Sequence, residues 1–191
     1  MRQFMTEILS DFSGEWRFDP THTRIGFSTR HAMVTKVRGA FNDFEGAIQV
    51  NAENPELSSA RMTIKVASID TRNADRDQHL RTNEFFDAPQ FPEITFSSNR
   101  VDQVDDGHFI VGGDVTIRGV TKDIAIPLDF IGVERDPMGN LRAGFEGSRR
   151  IDRQDFGLTW NAALDSGGVL ISDKITLEFE ISAVKVEEPA V

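Results

Sequence analysis

The sequence contains no cysteine and no tyrosine. The first absence excludes disulfide bonds, thiol nucleophiles and zinc sites built from cysteine ligands. The second contrasts with 15 phenylalanines among 191 residues. A phenyl ring supplies apolar bulk without a hydroxyl group that must find a hydrogen-bond partner when it is buried. The composition therefore favours an interior made of rings and aliphatic groups that need no polar partners.

Positive charge is also scarce, because 21 Lys and Arg stand against 31 Asp and Glu, for a net charge of −10. Affinity for nucleic acid depends largely on clustered Lys and Arg, so we expect no nucleic-acid partner. The same balance argues against electrostatic docking on an anionic bilayer. No stretch approaches the roughly 18 apolar residues of a membrane-spanning helix. We therefore predict no stable membrane insertion.

The N-terminal segment is predicted to be an extension, residues 1–13, with a possible short helix. Phe4, Ile8 and Phe12 recur at helical spacing. A secretory signal requires a continuous apolar run, and Glu7 and Asp11 break any such run here. A cytoplasmic location is therefore expected.

Most of the remaining chain shows the alternation of apolar and polar residues that is typical of strands. The last strand is the clearest, with Ile175, Leu177, Phe179 and Ile181 separated by polar residues. Aspartate and glycine at residues 105–107 indicate a hairpin. About eight antiparallel strands predict a sandwich or an up-and-down barrel, and closure would remove exposed edges. An eight-stranded barrel is just wide enough to be filled by side chains or to hold one small ligand, and the alternation does not decide between them.

One internal segment, residues 71–96, is predicted to begin as a short helix. Asn73 is a suitable N-cap, Asp77 and Arg81 are spaced as an i,i+4 ion pair, and Glu84 continues the helical spacing. Proline then ends the helix, first at Pro89. Five apolar residues follow the polar turns, which indicates either a lid over one end of the sheet or a surface helix covering a core edge: Leu80, Phe85, Phe86, Phe91 and Phe96.

Common catalytic and nucleotide-binding motifs are absent, so no catalytic residue, metal or cofactor is predicted. The four histidines are His22, His31, His79 and His108. Two or three of them could converge on a metal ion with a nearby aspartate, but hydrogen bonding at turns and at a barrel rim is the favoured interpretation. Arg76 could bind an anionic head group or fasten the inserted helix by pairing with a strand carboxylate, the latter being favoured.

The order of several motifs resembles the YceI-like family of lipocalin-like polyisoprenoid-binding proteins. The motifs that carry the resemblance are WRFDPTH at 16–22, VRGAF at 37–41, RDQHL at 76–80, FFD at 85–87, GDVTIRGVTK at 113–122 and IDRQDFGL at 151–158. The resemblance implies an all-β fold, an extended eight-stranded antiparallel lipocalin-like β-barrel with a short inserted helix. The barrel domain is predicted at residues 14–186, and 187–191 are predicted to be a loose tail, since chain termini are often poorly ordered. The resemblance also implies a homodimer.

The function that the resemblance implies is non-catalytic binding, transport or storage of a polyisoprenoid lipid, of the isoprenoid quinone or prenyl phosphate type, in an apolar tunnel. Two alternatives remain, a barrel enzyme using His31 or His79 on a hydrophobic substrate and a structural domain with a solid core.

Alternation and the inserted helix supply candidate ligand-binding residues, although ordinary core packing is the favoured interpretation for any single one of them. The predicted walls are Phe27, Phe44, Met62, Ile64, Val115, Ile117, Leu128, Phe145, Leu177 and Phe179. The helical end is predicted to be closed by Leu80, Phe85 and Phe96, and the polar gate to consist of His31, Arg76 and His79.

Overall fold

The structure, a computed structural model, describes residues 11–187. Its strands and helix are, in chain order, β1 (Gly14–Phe18), β2 (Arg24–His31), β3 (Thr35–Phe41), β4 (Phe44–Val50), β5 (Ser59–Lys65), β6 (Ile69–Asp70), α1 (Ala74–Arg81), β7 (Glu93–Asp105), β8 (His108–Ile117), β9 (Val120–Arg135), β10 (Leu141–Asp152) and β11 (Lys174–Lys185). Within these residues no helix is long and apolar enough to cross a membrane. The helix expected in 1–13 and the tail expected at 187–191 fall mostly outside the described residues.

The strands form a closed antiparallel barrel. Hydrogen bonding runs around the ring β1-β4-β5-β7-β8-β9-β10-β11, and β11 pairs with β1 to close it. β2, β3 and β6 extend β1, β4 and β5 respectively past short breaks in the chain, and β11 continues its pairing from β1 onto β2. Eight long strands therefore make the wall, which confirms the predicted eight-stranded barrel.

The strand pairing defines two ends of the barrel. The helix end carries α1, the β2–β3 turn and the β8–β9 turn, whereas the base carries the β7–β8 and β9–β10 turns. The β7–β8 turn is the hairpin predicted at residues 105–107, and Gly107 adopts the positive φ of 81° that this tight turn requires.

Buried side chains pack together inside the base. They form the base cluster, which consists of Trp16, Ile48, Val50, Ala143, Phe145 and Ala183. Trp16 has 0% exposure, and its indole nitrogen donates a hydrogen bond of 2.8 Å to the carbonyl oxygen of Phe12. Because the N–H of this buried indole has a hydrogen-bond partner, Trp16 can pack stably at the centre of the base cluster.

The helix begins where the sequence predicted and ends earlier. The Asn73 side chain accepts a hydrogen bond of 2.9 Å from the backbone N–H of Arg76, which confirms the N-cap. The helix stops at Arg81, before Glu84 and Pro89, because Thr82 is extended and its hydroxyl donates to the carbonyl oxygen of His79. Threonine is a poor helix former, since its hydroxyl competes for backbone groups.

The ion pair predicted between Asp77 and Arg81 is wrong. Asp77 is buried and accepts hydrogen bonds from the backbone N–H and the hydroxyl of Thr71, at 2.9 and 2.5 Å. Arg81 donates instead to the carbonyl oxygens of Ala67 and Ile69. Both side chains therefore fasten α1 to the chain that precedes it, because a buried carboxylate is stabilised by direct donors more than by a distant exposed cation.

Charged side chains form a hydrogen-bonded network near the base of the barrel. Arg142 donates to Asp19 at 2.6 Å and to Asp136 at 2.8 Å, and His22 hydrogen-bonds the same Asp19 carboxylate at 2.7 Å. Hydrogen bonds from His22 and Arg142 hold the pKa of Asp19 well below its usual range, and the Arg142 bond lowers the pKa of Asp136 to about 2.

Because of this network, the free energy of unfolding is expected to decrease at acidic pH. Because the folded pKa values of Asp19 and Asp136 are depressed, their stabilisation is present above the unfolded value of about 4 and is lost as pH falls towards about 2. We expect the free energy of unfolding, measured by denaturant titration, to fall over this window. Arg142→Met should flatten the fall, whereas Arg149→Met, at an exposed position of the same strand, should not. An identical slope in both variants would contradict the assignment.

Candidate functional site

The helix-end half of the barrel encloses a cavity of about 460 Å³. Apolar side chains of β2, β3, β5, β7, β8, β9, β10 and β11 form its walls, and α1 covers it. Packed protein interiors leave few voids larger than a water molecule, whereas ligand pockets measure about 300–1,000 Å³. The cavity therefore has the size of a ligand site, and the solid-core alternative does not fit this geometry.

Thirteen of the sixteen predicted site residues border the cavity, namely Phe27, His31, Met62, Ile64, Arg76, His79, Leu80, Phe85, Phe96, Val115, Ile117, Leu177 and Phe179. Several of these apolar side chains, among them Phe27, Met62 and Leu177, point inward and are nevertheless only half-buried. They remain accessible because they face the cavity.

Three predicted wall residues do not border the cavity. Phe145 belongs to the base cluster, Leu128 packs between that cluster and the main core, and Phe44 packs at the margin of the main core. Alternation shows which face of a strand points inward, but it does not show the height of a residue along the barrel axis. At the height of Phe145 the base cluster occupies the interior.

Some lining residues were not predicted. Ile124 and Ile126 on β9 lie two residues apart and so share one face of the strand, but their neighbours Ala125 and Pro127 are not polar, which weakens the alternation. Trp160, Leu170 and Ile171 also border the cavity, but they lie in the irregular segment between β10 and β11, where no periodicity marks an inward face.

Arg153 holds this irregular segment in place. Its buried guanidinium donates to the carbonyl oxygens of Leu158 at 2.6 Å, Trp160 at 2.9 Å and Ser172 at 3.0 Å. It also reaches the carboxylate of Asp173 at 3.2 Å. Burial lowers the pKa of Arg153. One side chain thus fixes a wall of the cavity, and although it lies in a motif that carries the resemblance, it was not predicted as a site residue.

The polar groups at the cavity lie at the helix end. Arg76 donates through Nε to the Thr71 hydroxyl at 2.8 Å and through Nη2 to the Thr71 carbonyl oxygen at 2.7 Å. It therefore fastens α1, as favoured, but to Thr71 rather than to a strand carboxylate. His31, at the end of β2, forms a bridge with Ile171 and also borders the cavity.

His79 lies between aromatic rings. Its imidazole meets Phe85 and Trp160 edge to face, with ring centroids 5.0 and 4.8 Å apart, and its Nε2 contacts the carboxylate of Glu84. The ring thus joins α1 to the segment fixed by Arg153.

The histidines do not converge. His22 pairs with Asp19 and His108 with Asp129, each at 2.7 Å and each near the base, whereas His31 and His79 lie at the helix end. Among residues 11–187 no group of three or more His, Asp or Glu is placed to hold a metal ion. The predicted turn hydrogen bonds account for His22 and His108.

Closure of eight strands around an apolar cavity, with a helix across one end, defines a lipocalin-like barrel. Residues 16–183 match the model of the YceI-like domain, and the chain belongs to this family.

Proteins of several bacteria are similar to this chain in sequence, and one of them is also similar in its solved structure. A UPF0312 protein of Photorhabdus laumondii is 38% identical, over 71% of this chain and 70% of the relative. One from Staphylococcus epidermidis is 36% identical, over 88% of this chain and 95% of the relative. The crystal structure of the Campylobacter jejuni YCEI protein is similar with a TM-score of 0.72 and 31% identity, over 83% of this chain and 90% of that one.

A polyisoprenoid binding domain from Saccharophagus degradans, implicated in plant cell wall breakdown, shares the fold with a TM-score of 0.67. It is 16% identical, over 90% of this chain and 98% of that one.

Proposed function

We propose that the protein binds a polyisoprenoid lipid without catalysis, with the tail in the barrel cavity and the head group at the helix end. The observation that carries the proposal is the apolar cavity of about 460 Å³ inside a closed barrel. The family membership and the polyisoprenoid-binding description of the S. degradans domain support it.

The walls suit a hydrocarbon chain. A polyisoprenoid tail offers no hydrogen-bonding groups, so its binding energy comes from apolar area removed from water, at about 25 cal/mol per Å². Isoleucine, phenylalanine and leucine dominate the lining, and Met62 adds a flexible side chain that adapts to irregular shapes. The tail points towards the base cluster, because all polar lining groups lie at the other end.

The head group is proposed to be that of an isoprenoid quinone or a prenyl phosphate. Arg76 uses Nε and Nη2 on Thr71, which holds the plane of its guanidinium at the cavity border. Such a guanidinium suits a phosphate oxygen, whereas the His31 and His79 imidazoles suit a quinone carbonyl.

Mass spectrometry tests the proposal. Under native conditions the purified chain is expected to show a mass above that of the denatured chain, and an organic extract is expected to contain a compound with a polyprenyl tail. The denatured chain is the internal control. An extract holding no polyprenyl compound, from protein that also fails to take one up when it is added, would contradict the function.

Whether the protein transports or stores the lipid depends on this proposal. Carriage between membranes and storage both require the same cavity, and the polar helix end is the side from which a ligand would enter. A homodimer and a cytoplasmic location stay predictions from the resemblance and from the sequence.

A further inference from the structure

The exposed apolar side chains at the helix end form a small patch beside the cavity. Met33 and Val34, in the β2–β3 turn, are 58% and 73% exposed, and Val169 of the neighbouring loop is 40% exposed. A Cβ atom built on Gly168 would lie 3.9 Å from Met33, so the turn and the loop are adjacent. We call Met33, Val34 and Val169 the mouth patch.

The mouth patch is continuous with the cavity lining. The Ala32 N–H donates to the carbonyl oxygen of Leu170 at 2.7 Å, and His31 bridges to Ile171. His31, Leu170 and Ile171 all border the cavity. A surface that binds the mouth patch therefore also contacts the border of the cavity.

The backbone of the turn is strained in a way that presents these side chains. Ala32 and Met33 have φ of 50° and 63°, and the N–H of Val34 donates to the His31 carbonyl oxygen, as in a type I′ turn. Asparagine and glycine normally occupy these positions because a Cβ atom is disfavoured there. Strain of this kind persists where the surrounding structure imposes it, and it is concentrated at functional sites.

Basic residues of β2 and β3 lie beside the patch although the whole chain is acidic, and the neighbouring loop adds one exposed carboxylate, that of Asp165. Residues 20–42 contain four Lys and Arg and no Asp or Glu, in a chain of net charge −10. Arg30 pairs directly with Lys36, and Arg38 lies two residues further on, so the strand register puts the three on one face. The nearby Glu178 is already paired with Arg24 at 2.8 Å. The whole-chain charge, which argued against bilayer docking, conceals this local excess.

We propose that the mouth patch and its basic rim, formed by Arg30, Lys36 and Arg38, dock the helix end on an anionic phospholipid bilayer. Apolar side chains at the tip of a turn, flanked by Lys and Arg, match the interfacial region of such a bilayer, where the tip enters the acyl boundary and the cations meet the head groups. Docking in this orientation brings the cavity border against the membrane in which an isoprenoid lipid dissolves. The role in lipid exchange rests on the proposed function, whereas the docking does not.

Vesicle flotation of the full chain tests the docking. Vesicles of phosphatidylcholine containing phosphatidylglycerol are expected to retain the protein, and vesicles of phosphatidylcholine alone or high salt to retain much less. The double variant Met33→Ser/Val34→Ser should lower the partition coefficient about tenfold or more. Lys36→Glu/Arg38→Glu should remove the preference for the anionic lipid.

Met138→Ser is the matched control, because Met138 is 80% exposed in the β9–β10 turn at the base. It should float like the wild type. Absence of wild-type flotation, equal retention by neutral vesicles, or unchanged flotation of both double variants would overturn the docking. Flotation does not require an occupied cavity, so this result is independent of whether the extract contains a polyprenyl compound.

Discussion

Leu177→Trp is expected to abolish lipid binding and to leave the barrel folded. Leu177 lies on β11 with Phe27 as its cross-strand partner, and both side chains border the cavity. An indole at this position extends into space that the tail would occupy. Overpacking a filled core costs about 1–3 kcal/mol, but here the added atoms enter the cavity, so we expect a smaller loss of stability.

The measurement is the affinity for a fluorescent polyprenyl analogue, which should fall by about 100-fold if several isoprene units lose their apolar contacts. Glu180→Trp is the matched control, because Glu180 is on the same strand, exposed, and outside the cavity lining. Circular dichroism should show the same strand content in both variants. Undiminished affinity in the Leu177 variant would show that the lipid tail does not occupy this part of the barrel.

Arg153→Met is expected to lower the free energy of unfolding by about 3 kcal/mol or more, because it removes the donor from one buried and two partly buried hydrogen bonds to carbonyl oxygens. The side chain is 5% exposed and holds Leu158, Trp160 and Ser172 together through their carbonyl oxygens. Methionine keeps much of the apolar stem but none of the donors.

Hydrogen exchange should locate this effect. In the Arg153 variant, amides of residues 153–173 are expected to exchange faster, and lipid affinity should fall because Trp160 and Ile171 lose their fixed positions on the cavity border. Arg150→Met is the control, since Arg150 is an exposed residue near the end of β10, three residues before Arg153. Equal stability of the two variants would show that Arg153 does not hold the segment.

Local signals predicted the parts of the fold that depend on local chemistry. The Asn73 cap and the hairpin at Gly107 were both predictable, because a capping side chain and a positive φ are requirements of single positions. Alternation predicted most inward faces, including Leu177 and Phe179 on β11.

Position along the barrel axis was not predictable from alternation. Phe96 and Phe145 follow the same pattern, yet one borders the cavity and the other belongs to the filled base. The difference arises from which side chains meet across the barrel, with Phe145 packed into the cluster formed around Trp16. Strand periodicity contains no information about such contacts.

Two features of the site depend on tertiary contacts and were missed. The turn at Ala32 and Met33 contains neither glycine nor asparagine, so the sequence gives no sign of its left-handed backbone. The segment after Arg153 is irregular, and its role follows only from the carbonyl oxygens that converge on one guanidinium.

A crystal structure of the protein with the ligand that it retains or takes up tests the central claim most directly. The account predicts continuous elongated density that starts beside Arg76 and His79 and runs between the aliphatic walls to a stop above Trp16. Density confined to the outer surface, with the interior side chains closed over an empty centre in the presence of saturating polyprenyl lipid, would contradict it.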